Sequence, residues 1–353
     1  MEILLLSRYE NLGASSRVRL FQYIPYLDKE GIKVDIAPLF SNGYINNLYE
    51  KGSKPLIYVL PAYGKRLLSL LNVKRFDLLW IEKELFPMLP AWIEKLLVKL
   101  RIPYIVDYDD AIFHNYDLNK NILIRTFLKN KIDSVMKNAA IVIVCNDYLA
   151  ERALKAGAKK VEYLPSVVDL EKYKFSDEFS PDVFRIGWIG SPSTSKYLKL
   201  IHKPLQEFCS KHNARLILIG SSKTDLPGVP LEIREWREDT EVENIQDFDA
   251  GIMPLPDEPW ERGKCGYKII QYMACGRPVV ASPVGVNKKL ITDGVNGFKP
   301  ITQEEWNNAL KELFEDINLR KTMGSAGRKI VEEKYSLQIT APKLVNILKS
   351  ING

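Results

Sequence analysis

The sequence predicts an α/β protein of two domains, each built around a parallel β-sheet. Short and almost continuously apolar runs alternate with longer segments of helical periodicity, a pattern typical of strands buried on both faces. At 353 residues the chain is too long for one ordinary core. A charged stretch without apolar periodicity separates two such series. We therefore expect an N-terminal domain at 1–170, a linker at 171–182, a C-terminal domain at 183–335 and a final helix at 336–353 that can pack back on the N-terminal domain.

The elements of the first domain are predicted from six apolar runs and from the periodic segments between them. The strands are Glu2–Ser7, Lys33–Leu39, Phe76–Glu82, Pro103–Tyr108, Ala140–Cys145 and Lys160–Leu164. The helices are Arg17–Glu30, Ala91–Leu100 and Asp147–Ala156. Apolar strands connected by helices favour a parallel sheet that is covered on both faces.

The second domain repeats this scheme. Its predicted strands are Phe184–Ile189, Arg215–Ile219, Leu231–Arg234, Ala250–Leu255 and Pro278–Ser282. Helices are expected near Tyr197–Lys211 and Gly266–Cys275, and the region from Glu304 to Gly353 is helical throughout.

Composition limits the partners that the sequence favours. The net charge is +6, and residues 1–170 hold 24 Lys and Arg against 19 Asp and Glu. Two basic and apolar stretches, at 63–71 and 122–137, either lie on an anionic membrane surface or form ordinary amphipathic helices. No basic cluster with interleaved aromatic residues points to nucleic acid. Without a signal peptide or an apolar run of roughly 18 residues, the chain is expected to be cytoplasmic, with peripheral contact at the inner membrane surface left open.

The cysteines and histidines argue against a metal centre. The four cysteines form no CxxC pair, so we expect reduced and mostly packed thiols. The three histidines exclude a histidine-rich metal site.

Polar residues collect where the predicted strands of the first domain end, which is where open α/β sheets bind ligands. After the first strand, Gly13 allows close backbone approach, and Ser15 or Ser16 can cap the next helix. Arg17 offers a planar fork to phosphate or carboxylate. A plain capped turn explains the same residues without any ligand.

Three carboxylates end the fourth strand, namely those of Asp107, Asp109 and Asp110. Clustered carboxylates can hold Mg²⁺ or Mn²⁺, but a general base or a ligand for a hydroxyl nucleophile needs the same groups. A surface acidic turn is the third interpretation. His114 follows closely, although a lone histidine is more often structural.

A loop of similar plan opens the second domain. Gly190 is followed by hydroxyl residues and a lysine, which suits a diphosphate held by backbone N–H groups, or else a Ser/Thr-rich helix cap. It has neither P-loop spacing nor a G-x-G-x-x-G fingerprint. The residues of interest in this loop are Gly190, Ser191, Ser193, Thr194 and Lys196. Gly220–Lys223 follows another strand in the same way.

A short helix with two lysines at its approach is the most informative feature. Lys264 and Lys268 are four residues apart, so they lie on one side of the segment that begins the helix at Gly266. Free N–H groups at a helix start and two lysines make a phosphate site, while a solvated lysine face is the alternative. Nearby, Glu261 or Asp257 can accept hydrogen bonds from sugar hydroxyls. Trp236 either stacks on a base or packs in the core.

The order of several motifs resembles the retaining GT-B glycosyltransferases of family 4, also called group 1. The resemblance is strongest over Phe248–Phe298, in the segments 249–254, 272–282 and 293–298. The segments 164–169 and 319–324 fit as well. The resemblance implies two doubly wound Rossmann-like domains facing a central cleft, with a nucleoside diphosphate sugar as donor and no metal or other cofactor.

The chain departs from this family at its Glu-x₇-Glu donor pair. The first glutamate, which meets the sugar, falls on Gly263, and the second, which meets the ribose, falls on Gln271. Gln271 can still bind a ribose hydroxyl, and Glu261 is a candidate replacement for the first glutamate. The two lysines resemble a sub-branch of the family, and where a histidine often follows the fourth strand, Asp109 or Asp110 stands closest.

The resemblance implies transfer of a sugar from a UDP- or GDP-sugar to a hydroxyl of a glycan or a lipid-linked acceptor, in surface polysaccharide or glycolipid synthesis. Asp109, Asp110, Lys264 and Lys268 are the expected catalytic residues. The expected donor site comprises Gly190, Ser191, Ser193, Thr194, Lys196, Trp236, Glu261, Gly266, Tyr267 and Gln271, and the acceptor side Gly13, Ser16, Arg17, Glu84 and His114. The alternatives are a non-catalytic sugar-nucleotide or glycan-binding protein and a nucleotide-sugar epimerase.

Overall fold

The structure is a computed structural model that describes residues 1–51, 56–180, 182–221 and 224–351. Pro181 of the predicted linker, and Ser222 and Lys223 of the loop at 220–223, lie outside the described residues. The chain forms two compact units. Unit 1 comprises Met1–Ser166, Arg262–Cys265 and Thr340–Gly353, and unit 2 comprises Val167–Glu261 and Gly266–Ile339.

The sheet of unit 1 is parallel throughout, in the order β2-β1-β3-β4-β5-β6. Its strands are β1 (Glu2–Leu6), β2 (Lys33–Ile36), β3 (Leu78–Glu82), β4 (Tyr104–Tyr108), β5 (Ile141–Val144) and β6 (Val161–Tyr163). The strands β3, β4 and β5 are buried at every position. This continuous burial explains why each of them is a nearly unbroken apolar run in the sequence.

The helices of unit 1 cover this sheet, and one predicted helix is broken. They are α1 (Ala14–Arg19), α2 (Ile24–Lys29), α3 (Asn42–Lys51), α4 (Leu56–Leu71), α5 (Trp92–Lys99), α6 (His114–Asp117), α7 (Ile122–Leu128), α8 (Lys131–Asn138) and α9 (Asp147–Lys155). The single helix expected at Arg17–Glu30 is wrong, because the backbone leaves the helical region at Leu20. Pro25, near the start of α2, has no N–H to continue a helix from the preceding turn.

The sheet of unit 2 is also parallel, in the order β12-β11-β10-β7-β8-β9. Its strands are β7 (Phe184–Ile189), β8 (Ala214–Ile219), β9 (Leu231–Arg234), β10 (Ala250–Met253), β11 (Val279–Ala281) and β12 (Gly297–Phe298). The short strand β12 was not predicted, because two residues carry no periodic signal.

The helices of unit 2 begin with a 3₁₀ segment at Ser195–Ile201, where the sequence predicts an α-helix. The helices are α10 (His202–Lys211), α11 (Glu241–Gln246), α12 (Pro259–Arg262), α13 (Tyr267–Ala274), α14 (Asn287–Leu290), α15 (Gln303–Glu315), α16 (Ile317–Lys334) and α17 (Leu337–Lys349). The end of α12 and most of α17 belong to unit 1. Over the described part of the chain, no helix is both long and apolar enough to cross a membrane.

Both strand orders create a point where the winding direction reverses. In unit 1 this point lies between β1 and β3, and in unit 2 it lies between β7 and β10. Crevices for ligands form at such points, beyond the carboxyl ends of the strands. The loops after β1, β3, β7 and β10 are therefore the places where each unit can build a site.

Candidate active site

A buried ion pair fixes the end of β4 in unit 1. The Arg19 guanidinium donates to both Asp107 oxygens, at 2.9 and 3.0 Å, and to the carbonyl of Leu164 at 2.7 Å. Both side chains are almost fully buried. Burial raises the pKa of Asp107 from 3.8 to about 6, although Arg19 acts in the opposite direction. Asp107 therefore stabilises the end of the strand, and the two aspartates after it remain the candidate site residues.

Asp109 is held by Lys83 and Ser15. The Lys83 ammonium lies 2.7 Å from one oxygen of Asp109, and the Ser15 hydroxyl donates to the other. Burial acts to raise the pKa of Asp109, but the charge and hydrogen bond of Lys83 outweigh it and lower the pKa below its usual value. Asp109 is consequently a fixed carboxylate, and Lys83, which directly follows β3, is its close partner.

Asp110 faces two lysines at longer range. The nitrogen of Lys83 lies 3.7 Å from one of its oxygens, and that of Lys264 lies 3.6 Å from the other. Lys264 belongs to the segment 262–265, which is part of unit 1. The structure thus brings Asp109, Asp110 and Lys264 together, as three of the four predicted catalytic residues.

The segment that carries Lys264 is anchored by Asn146. The amide of Asn146 donates to the carbonyls of Gly263 and Lys264, at 2.9 and 3.1 Å, while its oxygen caps α9. A side chain at Gly263 would place its Cβ 2.5 Å from the Cβ of Ala111. This close approach explains in physical terms why no carboxylate stands at that position of the chain.

The expectation of four reduced thiols is wrong for two of the cysteines. Cys145 and Cys265 form a disulfide with their Cα atoms 5.7 Å apart, while Cys209 and Cys275 are free. Nothing in the spacing of these cysteines signals the pair, because 120 residues separate them. The bond ties the end of β5 to the segment that carries Lys264.

The loop after β1 does not use its serines as helix caps. The N-cap of α1 is Gly13, and no side chain caps this helix end. Ser16 instead donates to the Glu82 carboxylate at 2.6 Å and accepts the N–H of Tyr9. The cap prediction is therefore wrong, because the carboxylates at the strand ends engage the hydroxyls. Arg17 donates to the carbonyl of Asn11.

The remaining residues of the predicted acceptor side lie in internal networks of unit 1. Glu84 is buried and accepts hydrogen bonds from Tyr116, at 2.6 Å, and from Lys131. His114 contacts Asp117 through Nδ1 and Tyr148 through Nε2, both at 2.8 Å. The structure orients both side chains but does not bring them into the cluster around Asp109.

In unit 2, Lys268 reaches back to the loop after β7. Its ammonium lies 4.0 Å from the centre of the Trp188 ring. A Cβ on Gly190 would lie 2.4 Å from the nitrogen of this ammonium. Gly266, at the start of α13, has a φ of 67° in the left-handed region. Gly190, Gly266 and Lys268 thus combine a close backbone approach, a helix start and a cation, the elements of a phosphate site.

The rest of the loop after β7 folds on itself. The Ser191 and Ser193 hydroxyls are 2.9 Å apart, and Thr194 donates to the carbonyl of Ser191. The ammonium of Lys196 lies 5.1 Å from the centre of the Tyr197 ring.

Glu261 brings a carboxylate to this loop. The Tyr197 hydroxyl donates to one of its oxygens, and the other oxygen is buried without a hydrogen-bond partner among the described residues. A buried carboxylate oxygen without a donor costs free energy unless a ligand or water supplies one. The role of Glu261 as a ligand for sugar hydroxyls remains a prediction.

Gln271 lies in a buried network rather than on an open face. Its amide donates to the Tyr173 hydroxyl at 2.8 Å, and that hydroxyl donates to Glu241. The Trp236 indole N–H donates to the other oxygen of Glu241 at 2.5 Å. The hydroxyl of Tyr267 lies 3.4 Å from that of Tyr173. Four elements of unit 2 therefore share one polar network around Glu241, which the sequence did not indicate.

Metal ligation finds no support in the part of the chain that the structure describes. There, no group of three or more His, Cys, Asp or Glu side chains is arranged to hold a metal ion. The lysines beside Asp109 and Asp110 already supply positive charge to those carboxylates.

Comparison with known proteins matches part of the chain to one family. Residues 183–316 match the family described as glycosyl transferases group 1. The chain is 31% identical over 103 residues to the D-inositol 3-phosphate glycosyltransferase of Paenarthrobacter aurescens. The aligned region covers 28% of this chain and 21% of that protein. The match thus spans about a fifth of that relative's length.

Solved structures share the whole architecture. The sucrose-phosphate synthase of Thermosynechococcus elongatus superposes with a TM-score of 0.74 at 14% identity, over 99% of both chains. The HepE protein of Anabaena, solved with UDP-glucose, superposes with a TM-score of 0.70 at 18% identity, over 99% of this chain and 100% of that one.

The fold is therefore that of the GT-B glycosyltransferases, as the resemblance of the motifs predicted. The match of residues 183–316 to glycosyl transferases group 1 confirms the predicted resemblance for this segment.

Proposed function

We propose that the chain transfers a sugar from a nucleoside diphosphate sugar to an acceptor hydroxyl, with retention of anomeric configuration, in the synthesis of a surface glycan. The arrangement of Lys268 over Gly190 at the start of α13 is the observation that carries this proposal. It offers a cation and backbone N–H groups to one diphosphate. HepE, which shares the fold, was solved with UDP-glucose, so a UDP-sugar is the first donor to test and a GDP-sugar the second.

The proposed chemistry requires charge stabilisation on the leaving group. The acceptor oxygen forms a bond to the anomeric carbon from the side on which the diphosphate leaves. The bond from that carbon to the diphosphate breaks and leaves its electron pair on the phosphate oxygen, which takes up the proton of the acceptor hydroxyl. Lys268 and the start of α13 stabilise this developing charge, which lowers the barrier because the interaction strengthens in the transition state. Lys196 adds to the positive charge after β7, Glu261 holds sugar hydroxyls, and Trp236 borders the base.

Nucleoside diphosphate release tests the proposal. The purified chain is incubated with UDP-glucose, UDP-N-acetylglucosamine or GDP-mannose and a panel of alkyl glycosides, and released UDP or GDP is quantified. We expect release that Lys268→Ala reduces by about 100-fold or more, the scale of losing one transition-state donor. Lys329→Ala, at an exposed lysine of α16, is the matched control.

Two outcomes would contradict the proposal. Tight nucleotide binding without release from any donor would identify a binding protein, and conversion of the donor to an isomer without an acceptor would identify an epimerase. The anomeric configuration of the product, read from its ¹H NMR coupling constants, tests retention separately.

Exposed apolar side chains of unit 1 support a lipid-linked acceptor and contact with an anionic membrane surface. Ile122, Leu123 and Phe127 are more than 60% exposed on α7, which also carries Arg125. Apolar side chains next to basic ones bind the interface between the headgroups and the acyl chains of anionic bilayers. Ile57, Leu60, Leu68 and Leu71 expose a second apolar surface on α4.

Vesicle sedimentation tests this contact. We expect the chain to sediment with vesicles that contain phosphatidylglycerol and not with pure phosphatidylcholine, and Phe127→Ser to weaken the binding. Leu154→Ser removes an apolar residue of α9 that is 63% exposed, against 77% for Phe127, and should leave the binding unchanged. Equal binding to both vesicles, or an equal effect of both variants, would contradict the proposed surface.

A further inference from the structure

We propose that Arg8 and Arg66 form an anion site at the carboxyl end of β1, which binds a phosphoryl or carboxyl group of the acceptor. The inference rests on the proposed transferase function, because that function makes the ligand an acceptor. All the residues that carry it belong to unit 1.

Arg66 is a buried guanidinium with unused hydrogen-bond donors. It lies on α4 and is 2% exposed. Its Nη2 donates to the carbonyl of Ser7, whereas Nε and Nη1 have no hydrogen-bond partner among the described residues. Burial lowers the pKa of Arg66 to about 9, although the charge of Glu82 acts in the opposite direction. The charged form of Arg66 is therefore poorly stabilised by its surroundings.

Arg19 shows how the same unit satisfies a buried arginine that supports the fold. It is 1% exposed, and Asp107 accepts two hydrogen bonds from it. Burial acts to lower the pKa of Arg19, but Asp107 outweighs it and the pKa is raised. Arg66 is buried to nearly the same degree, yet no carboxylate of the described residues accepts a hydrogen bond from it.

The fold does not need the one hydrogen bond that Arg66 makes. The carbonyl of Ser7, which accepts it, already accepts the N–H of Leu39 at 2.9 Å. A buried charge costs more free energy than one additional hydrogen bond to such a carbonyl returns. Groups that break the rules of stability in this way are expected at functional sites. The unused donors of Arg66 therefore point to an anion that binds near them.

Arg8 brings a second and more accessible guanidinium to the same strand end. Its side chain is 18% exposed, and it faces an oxygen of Glu84 at 3.4 Å. This contact is long, since charge-assisted hydrogen bonds are about 2.7–2.9 Å. The other oxygen of Glu84 is already held by Tyr116 and Lys131. An oxyanion can therefore bind Arg8 without breaking a strong ion pair.

The charges around the two arginines favour an anion. Glu82 attracts both Arg8 and Arg66, and Glu84 attracts Arg8. Lys131 pairs with Glu84 from the interior. Three cations thus face two carboxylates, and the carboxylate pair after β4 has two lysines of its own. One positive charge at the end of β1 is left for an oxyanion, whose geometry suits the planar guanidinium fork.

The same strand end offers a hydrogen-bond acceptor as well. One oxygen of Glu82 accepts the Arg8 N–H and the Ser16 hydroxyl, while the other is buried without a partner among the described residues. Unused donors on Arg66 and an unused acceptor on Glu82 suit a ligand that carries both an oxyanion and a hydroxyl group. Sugar phosphates and uronic acids carry both groups, whereas a neutral alkyl glycoside lacks the oxyanion.

Calorimetric titration of the full chain tests the anion site without turnover. The probes are glucose 6-phosphate, methyl glucuronide and methyl glucoside, which present a phosphoryl group, a carboxyl group and no charge. We expect one of the two anionic probes to bind and the neutral probe not to bind. Arg8→Met and Arg66→Met should each weaken the binding by about 10-fold or more, the effect of losing a charge-assisted hydrogen bond. Lys65→Met, at an exposed lysine of α4, should leave it unchanged.

Thermal unfolding separates a ligand site from a structural role. Without a probe, Arg66→Met is expected to raise the midpoint of unfolding, because it removes a buried charge that lacks an anionic partner. In the wild type, the anionic probe should raise the midpoint, and this rise should be lost in Arg66→Met. If Arg66→Met does not fold, Arg8→Met decides, because its side chain is partly exposed.

The outcomes are distinguishable. The inference is overturned if neither anionic probe binds, if binding is lost in Lys268→Ala rather than in the arginine variants, or if Arg66→Met lowers the midpoint and leaves probe binding unchanged. Anion binding at the two arginines without release of nucleoside diphosphate from UDP-glucose or GDP-mannose overturns the proposed function and leaves the anion site standing. Release that is equally fast with the neutral and the anionic probes as acceptors supports the proposed function and overturns the inference.

Discussion

The ammonium of Lys268 lies so close to Gly190 that a methyl group on this glycine would clash with it. A Cβ at position 190 would stand 2.4 Å from the lysine nitrogen and 2.8 Å from the Trp188 ring. The flexible lysine can move away, but the buried indole cannot. Lys268 can therefore occupy its position only because residue 190 has no side chain.

Gly190→Ala is expected to displace Lys268 and weaken nucleoside diphosphate binding. We expect a loss of affinity for UDP or GDP of about 10-fold, equivalent to about 1.4 kcal/mol, and a stability loss of about 1–3 kcal/mol from overpacking against Trp188. Calorimetric titration and urea unfolding measure the two effects. Gly64→Ala, at a helical glycine of α4 with open space around it, is the control and should not affect binding. Unchanged affinity in Gly190→Ala would show that the lysine position is irrelevant to the nucleotide.

The sequence predicts the proposed phosphate site only in part, and the reason is geometric. Gly190 and Lys268 are each conspicuous as a glycine after a strand and a lysine at a helix start. Their contact depends on β7 and α13 meeting in space, and no local pattern encodes that. Lys83 has a φ of 67°, in the left-handed region. This conformation is hidden for the same reason, since a lysine carries no signal for a left-handed backbone.

The strands are more predictable than the site. Runs such as Leu78–Glu82 and Ile141–Val144 are buried on both faces, so their composition alone indicates a parallel sheet. The helix break at Leu20 and the disulfide between Cys145 and Cys265 could not be predicted from the sequence, because both depend on tertiary contacts. Sequence patterns therefore locate the polar ends of the strands but not the partners that meet there.

Arg19→Met is expected to destabilise unit 1 strongly. The substitution leaves the Asp107 carboxylate buried without its bidentate partner, and breaking a buried pair in this way costs about 3–5 kcal/mol. Urea unfolding followed by circular dichroism measures the loss. Arg75→Met removes an arginine from an exposed pair with Asp35 and should cost at most about 1 kcal/mol. Equal losses in the two variants would mean that the buried pair has no special structural role.

Asp107 is expected to make the protein less stable as the pH rises from about 4 to about 6. Its pKa in the folded chain is raised to about 6 by burial, above the ordinary 3.8. A raised folded-state pKa means that its contribution is fully present below the ordinary value and is lost as the pH rises through the folded value. Urea unfolding at intervals between pH 4 and 7 should show this decline in the wild type and a flatter profile in Asp107→Asn. Parallel profiles would assign the pH dependence to other groups.

The disulfide predicts a specific thiol count. Protein purified without reductant and then denatured should react with a thiol reagent at two cysteines, Cys209 and Cys275, and at four after reduction. Because the bond closes a loop of more than 100 residues, its reduction should lower the free energy of unfolding by up to about 4.7 kcal/mol. Cys145→Ser should reproduce this loss, whereas Cys209→Ser should leave the effect of the reductant intact. Four reactive thiols before reduction would exclude the bond.

Gln271→Glu, which returns a carboxylate to the family position, is expected to destabilise the protein without improving nucleotide binding. The Tyr173 hydroxyl has one proton, which it donates to Glu241, and it accepts a hydrogen bond from the amide of Gln271. Burial raises the pKa of Tyr173 well above its usual value, so this proton stays on the ring oxygen. A carboxylate at position 271 would face the phenolic oxygen with no hydrogen between them.

The expected loss is about 1–3 kcal/mol, the cost of an unsatisfied buried polar group. Urea unfolding measures it, and calorimetric titration with UDP and GDP should show affinity equal to or below that of the wild type. Gln206→Glu makes the same change at an exposed position of α10 and should stay within about 0.5 kcal/mol. If Gln271→Glu instead binds the nucleotide more tightly at unchanged stability, the ribose reaches position 271 directly. The network of Tyr173 and Glu241 would then rearrange on binding, because its present hydrogen bonds leave no donor for that carboxylate.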